Sequence, residues 1–175
     1  MKKILIILGI IFFPITILIG IVYLVYKFFS KKRIHTFLSN VNISDIDAIT
    51  GVQFEEIVAV LFDYFGYKTK LTKRSGDYGV DIFASFKDVR YCIQTKLYYN
   101  HNVGSSAIQE INTAKNYYMC DYAVVITNSK YTKQALDMAE NLNVILINRI
   151  DLVNILQAYK SKNKRFMRRL LEEKA

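Results

Sequence analysis

The strongest constraint on the fold lies between Ser75 and Lys96, where a turn, an alternating run, a short loop and a second alternating run follow one another. Ser75, Gly76 and Asp77 are turn formers, and Gly79 stands just before the run Val80 to Ser85. Successive side chains of a strand point to opposite faces, so Asp81 and Phe83 share one face while Val80, Ile82 and Ala84 share the other. In the next run Tyr91, Ile93 and Thr95 alternate with Cys92, Gln94 and Lys96, which puts Gln94 and Lys96 on one side. Paired as a hairpin, the two runs bring a carboxylate, an amide oxygen and a lysine amine towards one point. That is the chemistry of a small metal-plus-lysine site.

The elements around this hairpin define the class. Gly51 opens a helix in which Phe54, Ile57, Val58, Leu61, Phe62 and Phe65 form one stripe, and Gly66 closes it. Glu55 falls at the edge of that stripe and can reach a site the helix packs on, whereas Glu56 is expected to face water. Tyr67 to Thr72 reads as a strand, followed by the basic pair Lys73 and Arg74. Beyond the hairpin, residues 104–119 predict a helix, and Tyr122 to Thr127 a strand buried on both faces. Residues 131–141, 143–148 and 151–159 predict helix, strand and helix. A hairpin-rich start followed by strand–helix alternation implies an α/β fold, a mixed central sheet flanked by helices.

Charge and hydropathy are unevenly placed. Ile4 to Tyr26 carry no charge, and at about 1.5 Å per residue the run reaches roughly 35 Å, enough to cross a ~30 Å hydrocarbon core. It is too long for the apolar part of a signal peptide and leads into Lys27, Phe28 and Phe29 rather than a small-residue cleavage site. An uncleaved transmembrane helix is the expectation. Lys27, Lys31, Lys32 and Arg33 outnumber Lys2 and Lys3, so the C-terminal domain is placed on the cytoplasmic side of the plasma or inner membrane. The net charge of +9 sits in the flanks: +3 in residues 1–30, +5 in residues 160–175 and only +1 between them. Such flanks suit nucleic acid or an anionic membrane surface. The expected organisation is an anchor at 1–30, a linker at 31–50, a globular domain at 51–159 and a basic tail at 160–175.

The two cysteines, Cys92 and Cys120, form no metal-ligand spacing and read as small buried hydrophobes. His35 and His101 are isolated, which argues against a zinc site. The tyrosines are expected at core edges rather than as base-stacking platforms.

With these residues in this order, the chain resembles the Mrr-type restriction endonuclease domain, a branch of the PD-(D/E)xK nuclease superfamily. The resemblance runs from about Gly51 to Asp151. It is carried by Gly51-x-x-Phe54-Glu55, Phe65-Gly66-Tyr67, Gly76-Asp77-x-Gly79-Val80-Asp81-Ile82 and Ile93-Gln94-x-Lys96. Val103-Gly104, Ala107, Gln109-Glu110, Ala114-Lys115 and Thr127-Asn128-Ser129 add to it. The family implies cleavage of double-stranded DNA, typically restriction of foreign or modified DNA, with a divalent cation, usually Mg²⁺. Asp81 matches the metal-binding aspartate and Gln94 the glutamine that replaces the usual second acid. Lys96 matches the active-site lysine and Glu55 the glutamate of the first helix. Asp81 and Gln94 are thereby the metal ligands, and Lys73 and Arg74 candidate phosphate contacts. The remaining partners on this reading are the membrane, through the N-terminal helix, and a second copy of the chain if it forms a homodimer.

Taken one at a time, these residues have plainer roles: Asp81 as a turn residue, Gln94 and Lys96 as an exposed strand face, Glu55 as an acid favoured near a helix N-terminus. Two functions therefore stand side by side. One is a membrane-tethered, metal-dependent DNA endonuclease; the other is a membrane-anchored nucleic-acid-binding or sensing protein that keeps the fold without cleavage.

Overall fold

The computed structural model describes residues 2–72 and 78–175, the side chains of 2–15, 23 and 26–28 excepted. The chain forms two compact units, Met1–Phe37 and Leu38–Ala175. The first is the greater part of α1 (Lys2–Asn40). Among the described residues no helix is long and apolar enough to cross a membrane. The run expected to span, Ile4 to Tyr26, lies largely outside the described side chains.

The second unit is an α/β domain. Its elements follow the last residues of α1 in the order α2 (Ile43–Asp47), α3 (Gly51–Tyr64), β1 (Lys68–Leu71), β2 (Ile82–Phe86), β3 (Val89–Lys96), α4 (Ser105–Tyr117), β4 (Tyr122–Thr127), α5 (Lys133–Leu142), β5 (Val144–Ile147), α6 (Arg149–Lys160) and α7 (Phe166–Lys174). The five strands form one sheet in chain order. β1, β2 and β3 pair antiparallel, whereas β3, β4 and β5 pair parallel, so the sheet is mixed as its sequence pattern implies. The change of sense falls on β3, the central strand.

Local chemistry explains the boundaries. Thr50 caps α3: its hydroxyl accepts from Gln53 N–H while the Gln53 side chain accepts from Thr50 N–H, a reciprocal arrangement worth about 1 kcal/mol. The apolar stripe of α3 is buried as expected, Phe54 and Phe62 completely. Each such side chain contributes roughly 2 kcal/mol by leaving water. Gly66 ends the helix with φ +98°, a left-handed conformation that glycine adopts without steric cost. Glu56, expected in water, is half-buried like Glu55.

On the other side of the sheet, α4 and α5 cover Cys92, Ala123 and Val125 with Ile108, Ile111, Ala114 and Ala135. Cys92 and Cys120 meet in this layer as a disulfide, with their Cα atoms 6.0 Å apart. The expectation of two independent buried hydrophobes is corrected here, because a strand and a loop 28 residues apart are brought together by packing that no local pattern encodes. The basic C-terminal segment is also tied in. Met167 and Leu171 of α7 are buried, and Lys174 Nζ lies 3.0 Å from Asp151 Oδ2. Lys160 Nζ and Lys164 Nζ donate to the Val41 and Tyr64 carbonyls.

Candidate active site

The carboxyl end of β3 carries the candidate site. β2 runs antiparallel to β3, so the residue that enters β2 and the residues that leave β3 meet at the same end of the sheet. The register ends at Ile82 opposite Ile93, and Asp81 sits just past it, its N–H donating to the Ile93 carbonyl at 2.9 Å. The Asp81 carbonyl accepts from Thr72 N–H at 3.0 Å, which ties the entry of β2 to the exit of β1. Asp81 Oδ2 accepts from Thr95 N–H at 2.6 Å and from the Thr95 hydroxyl at 3.0 Å. The carboxylate is thus held against the residue that separates Gln94 from Lys96.

Gln94 and Lys96 project together towards α4. Gln94 is 2% exposed, and its Nε2 donates to Glu110 Oε2 at 2.8 Å. The same oxygen lies 3.4 Å from Lys96 Nζ. Because a carboxylate only accepts, it is the amide nitrogen that must face Glu110, leaving Oε1 on the other side. Gln94 Oε1 is buried and has no hydrogen-bond partner among the described residues. A buried amide oxygen without a donor costs roughly 1–3 kcal/mol, which a cation ligated there would recover.

Gly79 makes this packing possible. A Cβ at that position would lie 2.9 Å from Gln94 Nε2 and 3.3 Å from Glu110 Cβ, and the backbone there has φ +86°. Both the space and the conformation demand glycine. Tyr78, beside it, is also left-handed, at φ 51°.

The segment leaving the site is clamped from behind. Asn128 is buried; its Oδ1 accepts from Tyr98 N–H at 2.8 Å, and its Nδ2 donates to the Tyr98 carbonyl at 2.9 Å. Nδ2 also donates to Asp47 Oδ1 at 2.8 Å. Arg149 closes the network, pairing with both Asp47 oxygens at 2.7 Å and donating to the Asn128 carbonyl at 2.8 Å. The bidentate Arg149 bond, outweighing the opposing effect of burial, holds the Asp47 carboxyl below its ordinary range.

The expected residues divide as follows. Gln94 and Lys96 are brought together on Glu110, and Asp81 is fastened to Thr95 between them. Glu55 is half-buried on α3. Lys73 and Arg74 lie outside the described residues. Among the described residues no three His, Cys, Asp or Glu side chains stand close enough to hold a metal ion between them. Glu110 and Asn128 have structural roles that residue-by-residue reasoning did not assign, although both fall inside family-like segments, Gln109-Glu110 and Thr127-Asn128-Ser129. Asp47 and Arg149 gave no local signal at all. A groove among the described residues lies elsewhere, across β1 to β3, lined by Lys68, Lys70, Phe83 and Arg90 among others. It contains none of the site residues.

A mixed sheet flanked by helices, with a polar cluster at the carboxyl end of the strand where the pairing changes sense, defines a restriction-endonuclease-like α/β protein. Residues 46–156 match the restriction endonuclease family Mrr_cat, and the chain belongs to that family. No curated protein matches the sequence. Among solved structures, the DNA modification-dependent restriction endonuclease AspBHI superposes with a TM-score of 0.55 at 19% identity, over 81% of this chain and 40% of that one. The MspJI restriction endonuclease, solved with a 27-mer oligonucleotide, gives 0.43 at 16% identity, over 82% of this chain and 34% of that one. The protein AF1548, of unknown function, gives 0.49 at 18% identity, over 54% and 56% of the two chains. The chain thus spans about a third to just over half the length of these three structures.

Proposed function

We propose that the chain is a metal-dependent endonuclease that hydrolyses phosphodiester bonds of double-stranded DNA, tethered to a membrane by its N-terminal helix, with restriction of foreign or modified DNA as its role. The observation that carries the reading is Gln94 Oε1, a buried amide oxygen with no donor among the described residues, in the same short strand end as Lys96 and the Thr95 that holds Asp81. Asp81 and Gln94 would hold the ion. One carboxylate and one amide oxygen suit Mg²⁺, which keeps several waters and is commonly bound through one or two carboxylates plus phosphate oxygens. When bound, it supplies charge stabilisation at the phosphate. Asp81 contributes the negative charge of the set, and Thr95 orients its carboxylate. Lys96 Nζ, drawn towards Glu110, stands ready to orient the attacking water or assist its deprotonation. Glu55 is the helper acid from α3, and Lys73 and Arg74 are phosphate contacts on this reading.

The test is nicking of supercoiled plasmid by the full chain in detergent micelles with Mg²⁺. Asp81→Ala and Lys96→Ala are each expected to lower the rate about 100-fold or more. DNA binding without any cut, unchanged in both variants, identifies the non-cleaving reading instead.

Tethering and orientation rest on the uncharged run Ile4 to Tyr26 and the cations that follow it. A reporter fused to the C-terminus is expected to be active in the cytoplasm, and activity on the far side of the membrane overturns the orientation.

A further inference from the structure

We infer that an exposed tyrosine cluster at the carboxyl end of α4, together with the basic groove across β1 to β3, binds unpaired bases of a DNA strand beside the candidate active site. The choice of DNA rests on the endonuclease reading; the surface itself does not. Tyr78 and Tyr117 are 59% and 63% exposed, yet their ring centroids lie 4.8 Å apart. Tyr118 joins them, 4.9 Å from Tyr117 and 6.4 Å from Tyr78. Single apolar side chains on a surface are ordinary, but a contiguous aromatic cluster in water marks a binding surface. The turn at Tyr78 presents its ring from a left-handed backbone that a bulky residue rarely adopts. Such strain persists where the surroundings hold it, commonly at functional sites.

Phe83 connects the cluster to the groove. Its ring lies 5.0 Å from Tyr118, and it also lines the groove of about 220 Å³. The register pairs Lys70 with Phe83, Lys68 with Ser85, and Ser85 with Arg90. Cross-strand partners share a face, so the three cations and Phe83 stand on one side of the sheet. The side chains of Lys68 and Lys70 make no ion pair or hydrogen bond among the described residues. Arg90 Nη1 reaches the Met119 carbonyl at 3.5 Å, at the foot of the tyrosine cluster. Edge-strand lysines by themselves only discourage strand pairing. A cationic groove running into a cluster of exposed rings is what sequence-tolerant single-strand binders use: phosphates follow the charges and bases lie on the rings. The position fits. Tyr117 is two helical turns from Glu110 on the same stripe of α4, about 10 Å along the axis, and Tyr78 adjoins Gly79, which packs on Gln94 and Glu110.

The experiment is fluorescence anisotropy of the full chain in detergent micelles, in EDTA, with a short labelled single strand and with its blunt duplex. The wild-type chain is expected to prefer the single strand. Tyr78→Ala and Tyr117→Ala should each weaken single-strand binding about 5- to 100-fold, with duplex binding much less affected. Tyr117→Phe should retain affinity, and Lys68→Gln with Lys70→Gln should flatten the salt dependence. Unchanged single-strand affinity in both alanine variants overturns the inference. So does tighter binding of an RNA strand of the same sequence, or a change in self-association with no change in DNA affinity, which makes the surface a protein interface. The assay needs no metal, so a failure of Asp81→Ala to abolish nicking bears on the endonuclease reading alone.

Discussion

Glu110 Oε2 accepts from Gln94 Nε2 at 2.8 Å and lies 3.4 Å from Lys96 Nζ, so one carboxylate oxygen on α4 orients two side chains of β3. Glu110 acts through its neighbours: it decides which end of the Gln94 amide points away. Glu110→Ala removes that choice, since the amide is then free to turn over. The expected result is a 10- to 100-fold loss in nicking, with the Mg²⁺ concentration for half-maximal activity raised. A titration of rate against Mg²⁺ reads both, and an unchanged half-maximal concentration removes Glu110 from the site.

Gly79→Ala tests the close packing beneath the same pair. A Cβ 2.9 Å from Gln94 Nε2 on a backbone at φ +86° must displace the amide or strain the turn. The variant is expected to lose about 1–2 kcal/mol of stability and to impair nicking further than that loss explains. Urea denaturation beside the nicking assay separates the two effects.

The Asp47 and Arg149 pair joins α2 to the start of α6, and both side chains are about one-third exposed, 33% and 36%. Solvent screening limits the pair to about 1 kcal/mol. Arg149 lowers the Asp47 carboxyl below its ordinary value of 3.8. A depressed carboxyl contributes stability that is present in full above its unfolded value and is lost as the pH falls through the folded one. Asp47→Asn should therefore destabilise at neutral pH and cost progressively less below about pH 4. Equal destabilisation at neutral and strongly acid pH contradicts this.

Cys92 and Cys120 report on the compartment. Closing a loop of 28 residues stabilises by about 3–4 kcal/mol when the bridge is formed, and cytosolic reductants keep such pairs as thiols. With the domain in the cytoplasm, both cysteines should be alkylated in lysates denatured without reductant. In the purified, air-oxidised chain they should resist alkylation, and dithiothreitol should lower the melting temperature. Blocked thiols in freshly trapped cells place the domain on the other side of the membrane.

Much of the fold could be read from local patterns. The stripe on α3 records which face of the helix is buried, and the continuous apolar run of β4 records a strand buried on both faces. Their order along the chain then leaves few sheets to choose from. Asp81, Gln94 and Lys96 could be picked out as candidates because side chains in a strand alternate with a period of two. Glu110 was visible only as part of the family-like pair Gln109-Glu110, since its contacts with Gln94 and Lys96 come from where the helix packs. Exposure of Tyr78 and Tyr117 contradicts the expectation that tyrosines stay at core edges; Tyr78 lies in a turn and Tyr117 is the last residue of α4.

By itself the sequence determined the class of fold, the strand end that bears the candidate chemistry and the apolar segment before it, because periodicity and turn chemistry act over neighbouring residues. Only the tertiary structure decided that Gln94 Oε1 is left without a donor among the described residues, that Cys92 and Cys120 meet and which tyrosines gather at the end of α4. Those outcomes depend on contacts between residues far apart in the chain, and nothing in the local pattern of either partner specifies the other.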